Sequence, residues 1–432
     1  MFRDAAVILA MRVAGAVLWM GYTVVLGRSL SKGDFAIALY AVNFSLFAVL
    51  VVTLGRDVAL LRFASKAWSS GAHASIREML TSSRWTVALN GCLLTLALLL
   101  LSFFGLRTAV TDDLEIAVLT GFLIIAGSLM GLNRECLRAV GKVWQSQIGI
   151  NFTRSVIPIL GSIAIFFLEG SLDAKQALLL LLISLLLSLV IEEIFIRRIK
   201  WRADSCVPDE AIPEMRRAGF ALWPGDIANA LLMRSVGLVG ALALQPEAAA
   251  LLLAAERIAG LAQFPIGASA QAAAPRIAQA TNSDDMAVQN ALDRGSVLML
   301  AGAMIGFFVA GVLAWPALWA LGPAFSAALP TTLVLIFASL AWAFFGLAQS
   351  ALNLTGRSHH YSAVCICVTI VTVAGIWFAA AEYGALGAAV VWCIGWWTAN
   401  IAYTLTFKSL SGLDTGVLSI ARRVTTFLAT RR

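Results

Sequence analysis

Twelve apolar runs fill nearly the whole chain, at about 5–27, 35–61, 85–106, 114–140, 145–168, 174–196, 218–241, 248–272, 296–318, 328–352, 361–381 and 384–407. A bilayer core offers no water to backbone amides, so a spanning segment must be a closed helix of about 20 apolar residues. The pattern therefore predicts an all-α polytopic membrane protein with twelve transmembrane helices. Composition agrees: 60% of the residues are hydrophobic, 13% are charged, and the mean hydropathy is +0.88. Soluble domains carry about 25% charged residues, so an ordinary globular enzyme is excluded. Disordered chains and disulfide scaffolds are excluded with it. The start, MFRDAAVILAMRVAGAVLWMGYTVVLG, reads as a first span and not a removed leader, because its apolar run is long and Arg12 interrupts it.

The net charge of +7 does not indicate nucleic acid, because the basic residues sit between the apolar runs. Of the 31 lysines and arginines, 22 fall in loops on one side and four (Arg28, Lys32, Arg107, Lys175) on the other. The remaining five (Arg12, Arg56, Arg154, Arg234, Arg257) lie inside predicted spans. Positive residues stay on the cytoplasmic side, so both termini are expected there. Reporter fusions after Arg107 and Leu318 should read external, and fusions after Arg202 and Arg432 internal. One reversed signal would break the twelve-span order.

The longest polar connection, 197–217, separates a six-helix bundle at 1–196 from a second at 218–407, followed by a basic tail at 408–432. The halves repeat. Gly131-Leu132, Leu137 and Gly141-Lys142 recur as Gly346-Leu347, Leu352 and Gly356-Arg357, each shifted by 215. Gly27 and Asp34 recur as Gly240 and Glu247, shifted by 213. Six is even, so the bundles are expected to share one orientation, related by a pseudo-two-fold axis along the membrane normal. Two segments look interfacial: 66–84 as a lateral helix, and 416–432 as a basic amphipathic helix suited to anionic lipid at the cytoplasmic surface.

No phosphate-binding G-x-x-x-x-G-K-[ST] occurs, and His73, His359 and His360 all fall in polar loops, so neither cofactor nor metal is indicated. Cys92, Cys136, Cys206, Cys365, Cys367 and Cys393 suggest no disulfide framework. Gly127-x-x-x-Gly131 and Gly302-x-x-x-Gly306 read as helix-packing patterns.

The informative residues are ionisable ones within spans: Arg12, Arg56, Asp57, Arg154, Asp226, Arg234, Glu256 and Arg257. Each arginine facing lipid would cost roughly 2.5–3.5 kcal/mol, so the five are expected to line a shared hydrated cavity. Structural roles stay open: Arg56 can snorkel from a helix end, and Arg257 can pair with a carboxylate to fix packing. Shifting Arg12 by 214 lands on Asp226, so an opposite-charge gate between these two is expected, with Asp57 and Glu256 as further gating or ion-coupling candidates. The excess of guanidinium over carboxylate suits an anionic, phosphate-bearing substrate.

Several stretches then resemble bacterial polysaccharide flippases of the lipid-linked oligosaccharide and O-antigen type. They belong to the multidrug/oligosaccharidyl-lipid/polysaccharide exporter superfamily. VVLGRSLSKGDFAIALYAVNFSLFAVLVVTLGRDVALLR (Val24–Arg62) is similar to the family's opening, after a first span bearing an Arg. AERIAGLAQFPIGASAQAAAPRIAQ (Ala255–Gln279) is similar to its eighth-span region, and LGPAFSAALPTTLVLIFASLAWAFFGLAQSALNLTG (Leu321–Gly356) to its tenth. Tyr383–Ala389 resembles its YGxxGAA turn. The resemblance implies two six-helix bundles in a V around a central cavity, and flipping of undecaprenyl-diphosphate-linked glycan. It also implies polysaccharide polymerase and chain-length machinery as partners. Arg12 and Arg234 match positions where the family tends to be basic; Met233 stands where an acidic neighbour is usual.

Three other readings compete. An ion-coupled multidrug exporter of the same superfamily would want a carboxylate-dominated interior, and this one is basic. A membrane glycan polymerase or ligase would want a long external loop, and these are short. A structural or assembly protein of the membrane is the third.

Overall fold

The computed structural model describes residues 2–105, 108, 110–199, 201, 211–280 and 285–416, with the backbone alone at 2–10, 12, 211, 271, 272, 274–276, 278, 279, 285 and 354. Among these residues every regular element is helical. Two compact units form, Met1–Ile227 and Ala228–Arg432. The first holds α1 (Phe2–Ser29), α2 (Lys32–Thr53), α3 (Arg56–Ser69), α4 (His73–Phe103), α5 (Leu114–Ala139), α6 (Val143–Ile148), α7 (Arg154–Glu169), α8 (Ala174–Arg197) and the start of α9 (Ala211–Ser235). The second holds the rest of α9, α10 (Pro246–Ala259), α11 (Gln263–Ala280), α12 (Asp285–Leu321), α13 (Leu329–Ala338), α14 (Leu340–Phe345), α15 (Ala348–Leu354) and α16 (Ser358–Ser411).

Short irregular turns join several of these into single spans. A π-helical turn, Gly149–Thr153, fuses α6 to α7, and a 3-10 turn, Gly260–Ala262, fuses α10 to α11. The helix α16 is broken at Gly384 (φ 68°, ψ −157°), where the sequence places the turn between its last two spans. Nine described helices are long and apolar enough to cross a membrane. The helix α1 has a shorter apolar stretch, Val13–Ser29. Charges at Arg216, Arg217, Asp226 and Arg234 make α9 less apolar than the other spans, and α16 contributes two spans. The all-α, twelve-helix architecture in two bundles follows. The protein is a multi-pass membrane protein.

The boundary between the units falls within α9, ten residues beyond the 197–217 connection. The early part of α9 belongs to the first unit, where the Trp223 indole donates to the Leu50 carbonyl (3.1 Å). Its later part belongs to the second, where Thr369 and Trp392 donate to the carbonyls of Ala228 (3.0 Å) and Leu232 (2.8 Å).

The repeat has a structural counterpart. At the end of α5, Lys142 N–H donates to Leu137 O (2.8 Å) across Gly141 (φ 78°). At the end of α15, Arg357 N–H donates to Leu352 O (2.9 Å) across Gly356 (φ 77°). These are the same six-residue closing bond at positions 215 apart, a Schellman-type cap.

Several boundaries differ from the sequence reading. The second span stops at Thr53 instead of 61, because Leu54 (φ 51°) and Gly55 (φ 71°) turn left-handed and a new amphipathic helix, α3, begins at Arg56. The lateral helix expected at 66–84 is therefore displaced to Arg56–Ser69. Ser70 and Ala72 cap it, and α4 runs unbroken from His73 into the third span. His73 lies under the Trp68 ring (centroids 4.3 Å apart) with 7% of its surface exposed, not in an open loop. The tenth span also ends early, at Phe345, before the turn at Gly346 and the short α15. The amphipathic segment 416–432 lies outside the described residues beyond Gly416.

Packing follows apolar faces. In the first unit Leu60, Ile76, Met79, Val87, Ile124, Leu132 and Leu137 form one core, joining α3, α4 and α5. In the second, a side chain on Gly302 would meet Ser269 and the Pro265 carbonyl, and one on Gly306 the Ala262 carbonyl. That Gly-x-x-x-Gly pattern serves helix packing inside the unit. Among the described residues Cys92, Cys136, Cys365, Cys367 and Cys393 form no disulfide.

Candidate functional site

Basic residues that the loop count puts on one side do gather at one end of the first unit. Arg84 donates to Glu193 (2.7 Å) and Asn133, Arg138 and Arg134 reach Glu135 (2.6 and 3.1 Å), and Arg197 reaches Glu193 (3.0 Å). At the opposite ends of α5 and α8, Lys175 bridges Asp113 (2.8 Å) and Glu115 (2.7 Å). The Lys175 hydrogen bond holds the Asp113 carboxyl below its ordinary range.

The sequence-flagged residues fall into three places. The first is the α2–α3 turn. Gly55 packs backbone to backbone on Gly219 of α9, and this contact brings Arg56 near Arg216, one turn before Gly219. Arg56 is 8% exposed, and its Nη1 has no hydrogen-bond partner among the described residues. Burial lowers its guanidinium pKa from the usual value, and the Arg216 charge lowers it further. Arg216 itself donates to Ser82 Oγ (3.2 Å). Beside Arg56, burial raises the Asp57 carboxyl, opposed by backbone amide hydrogen bonds. Asp57 is also the charged neighbour that acts on Asp226. The two gating candidates Asp57 and Asp226 therefore share one neighbourhood. The Arg12 side chain, and with it the expected pairing with Asp226, lies outside the described residues.

The second place is the π-helical turn of the fifth span. A π turn inserts one residue into the helix ladder and is frequent at functional sites. Arg154 is the first residue after it, its guanidinium 4.3 Å from the centre of the Trp19 ring on α1. Such a cation–π contact attracts the guanidinium to the face of the ring. Helix α1 approaches closely here: a side chain on Gly15 would meet Asn151 within the π turn.

The third place is in the second unit. Arg234 lies in the last turn of α9, with only Ser235 between it and another π-helical turn, Val236–Gly240. Glu256 is the charge acting on it, and Glu256 and Arg257 share the last turn of α10. Arg154 thus follows one π turn directly and Arg234 stands one residue short of another, a feature with no signature in hydropathy.

The sequence reading missed three things: Arg216, the Trp19 platform, and Glu192. Glu192 is completely buried on α8, yet in the sequence it sits in the pair Glu192-Glu193 near the end of an apolar run, which reads as an ordinary helix terminus.

Comparison with known proteins places this arrangement. No curated protein matches the chain. Solved structures share its fold at low identity. One is an inward-facing multidrug resistance MATE family transporter of the MOP superfamily (TM-score 0.75, 14% identity, 94% of this chain and 98% of that one). Another is a Vibrio cholerae MATE transporter (TM-score 0.67, 17% identity, 94% and 96%). A third is a Pyrococcus furiosus MOP superfamily transporter, described as having a binding pocket of reversed polarity (TM-score 0.60, 16% identity, 94% and 92%). The polysaccharide biosynthesis protein family matches residues 1–281. With that match over nearly two thirds of its length, the chain belongs to the polysaccharide biosynthesis protein family, and it shares the fold of MOP-superfamily structures.

Proposed function

We propose that this protein flips undecaprenyl-diphosphate-linked oligosaccharide units across a bacterial inner membrane, for exopolysaccharide, capsule or O-antigen synthesis. The observation that carries the reading is a transporter fold in the polysaccharide biosynthesis family whose span arginines, Arg154 and Arg234, stand at π turns. A diphosphate offers several acceptor oxygens, and a guanidinium fork engages two at once in a medium that screens charge weakly. Arg12 and Arg257 are assigned to the same task, and Arg56 with Arg216 to holding phosphate near the α2–α3 turn. Anionic lipid at the cytoplasmic face, and polymerase and chain-length proteins, are the proposed partners, with both termini cytoplasmic. The role needs no covalent step, so no catalytic residue is assigned.

The likeness to multidrug transporter structures favours one second reading, ion-coupled export of small molecules. Proteoliposomes separate the two. With a short undecaprenyl-diphosphate-linked oligosaccharide in one leaflet, the protein should equalise the leaflets, and ethidium efflux should stay at the level of empty vesicles. Ethidium export without glycolipid transfer would overturn the flippase reading.

A further inference from the structure

The side chain of Glu192 is 0% exposed, and neither carboxyl oxygen has a hydrogen-bond partner among the described residues. It sits on α8 a turn and a half before Arg197, within the apolar run. The backbone facing it is the π turn: a methyl group on Gly149 would stand 2.9 Å from Oε1. Ser188, one turn earlier on α8, places its hydroxyl 3.5 Å from the Gly149 carbonyl.

The charged groups around it are already committed. Helix α4 brings Arg84, which is held by Glu193 and Asn133. Helix α5 brings Arg134 and Arg138, both on Glu135. Helix α8 adds Glu193 and Arg197, which pair with each other. The α6–α7 span has Lys142 ahead of it and Arg154 against Trp19. Helix α2 carries Lys32 and Asp34 only in its first turn. Arg134 and Arg84 act on Glu192 from a distance, but neither bonds it.

A buried carboxylate without a partner is strongly disfavoured unless it holds a proton or a cation. Among the described residues no group of three or more His, Cys, Asp or Glu side chains that could hold a metal ion is found, which favours the proton. We infer that Glu192 is a proton-binding site whose charge state sets the conformation of the π turn Gly149–Thr153, and through it the position of Arg154. With the proton on, the carboxyl rests neutral against Gly149. With the proton lost to water, the charge requires donors, and a π turn can shift its extra residue along the helix to supply backbone N–H groups. Arg154, the next residue, must move with it. The inference does not depend on what the protein transports.

Two measurements on the purified full-length protein test it. Dicyclohexylcarbodiimide adds to protonated carboxyls in apolar surroundings, and mass spectrometry locates the adduct. Labelling at Glu192 should fall as pH rises, by at most about tenfold per unit for a single site, and should be absent in Glu192→Gln. Amide hydrogen exchange across residues 147–154 should coincide in the wild type and Glu192→Gln at low pH. At high pH it should be several-fold faster in the wild type. If Glu192→Gln does not fold, Glu192→Asp keeps the carboxyl and should still label with the same pH trend. Labelling that does not change with pH, protection that follows sodium instead of protons, or identical exchange at both pH values would each overturn the proposal.

Discussion

Arg234→Ala should abolish transfer of lipid-linked glycan while the amount of protein in the membrane stays at the wild-type level. Arg234 stands in the last turn of α9, one residue short of a π turn, and has Glu256 beside it. If it holds a phosphate, its removal deletes a charge-assisted contact worth about 1.5–3 kcal/mol, or roughly ten- to 150-fold in the transport rate. Arg234→Lys should recover only part, because an ammonium is a point charge and cannot grip two oxygens in one plane. The competing explanation, that Arg234 merely neutralises Glu256, makes a different forecast. It would have Glu256→Gln suppress the defect in the double variant, since the unpaired carboxylate would be gone. Glycolipid accumulation in a strain lacking its own flippase gives the readout. Arg12→Ala and Arg154→Ala should behave alike, the latter with Trp19→Ala as a milder companion. Normal export in all three arginine variants would leave them as packing residues.

The largest loss of stability should come from Gly55→Ala. Gly55 sits at φ 71°, where an L side chain costs about 1–2 kcal/mol. A Cβ there would also run into the Gly219 carbonyl, and neither partner is a side chain that can rotate away. Together the strain and the clash should cost roughly 3–5 kcal/mol, enough to lower both the yield of folded protein and its melting temperature clearly. Gly71→Ala is the control. Gly71 has φ 80°, but a Cβ would meet nothing within 4 Å, so only the conformational strain remains. Thermal unfolding in detergent should separate the two variants by several degrees. Equal melting temperatures would mean that the Gly55–Gly219 contact is not tight in the membrane.

Hydropathy alone determined that the chain is a twelve-span membrane protein, because a bilayer imposes a fixed length of apolar helix on every crossing. The repeat was legible too: Leu137 to Lys142 and Leu352 to Arg357 close their helices with the same bond, and a cap is a local matter of a few residues. The arginines within spans stood out for the same reason, since each is costly wherever a run should be apolar. Which groups share a neighbourhood was a different matter. Arg56 comes near Arg216 because two glycine backbones 164 positions apart can touch. Arg154 lies on Trp19 because α1 packs into the π turn. Glu192 reads as a helix end and is instead completely buried. Apolar periodicity records which side chains avoid water, not which helix stands next to which. A left-handed residue or an inserted π residue shifts the helix register without altering hydropathy. Those choices are made by close packing between helices distant in the chain, and only the tertiary structure shows them.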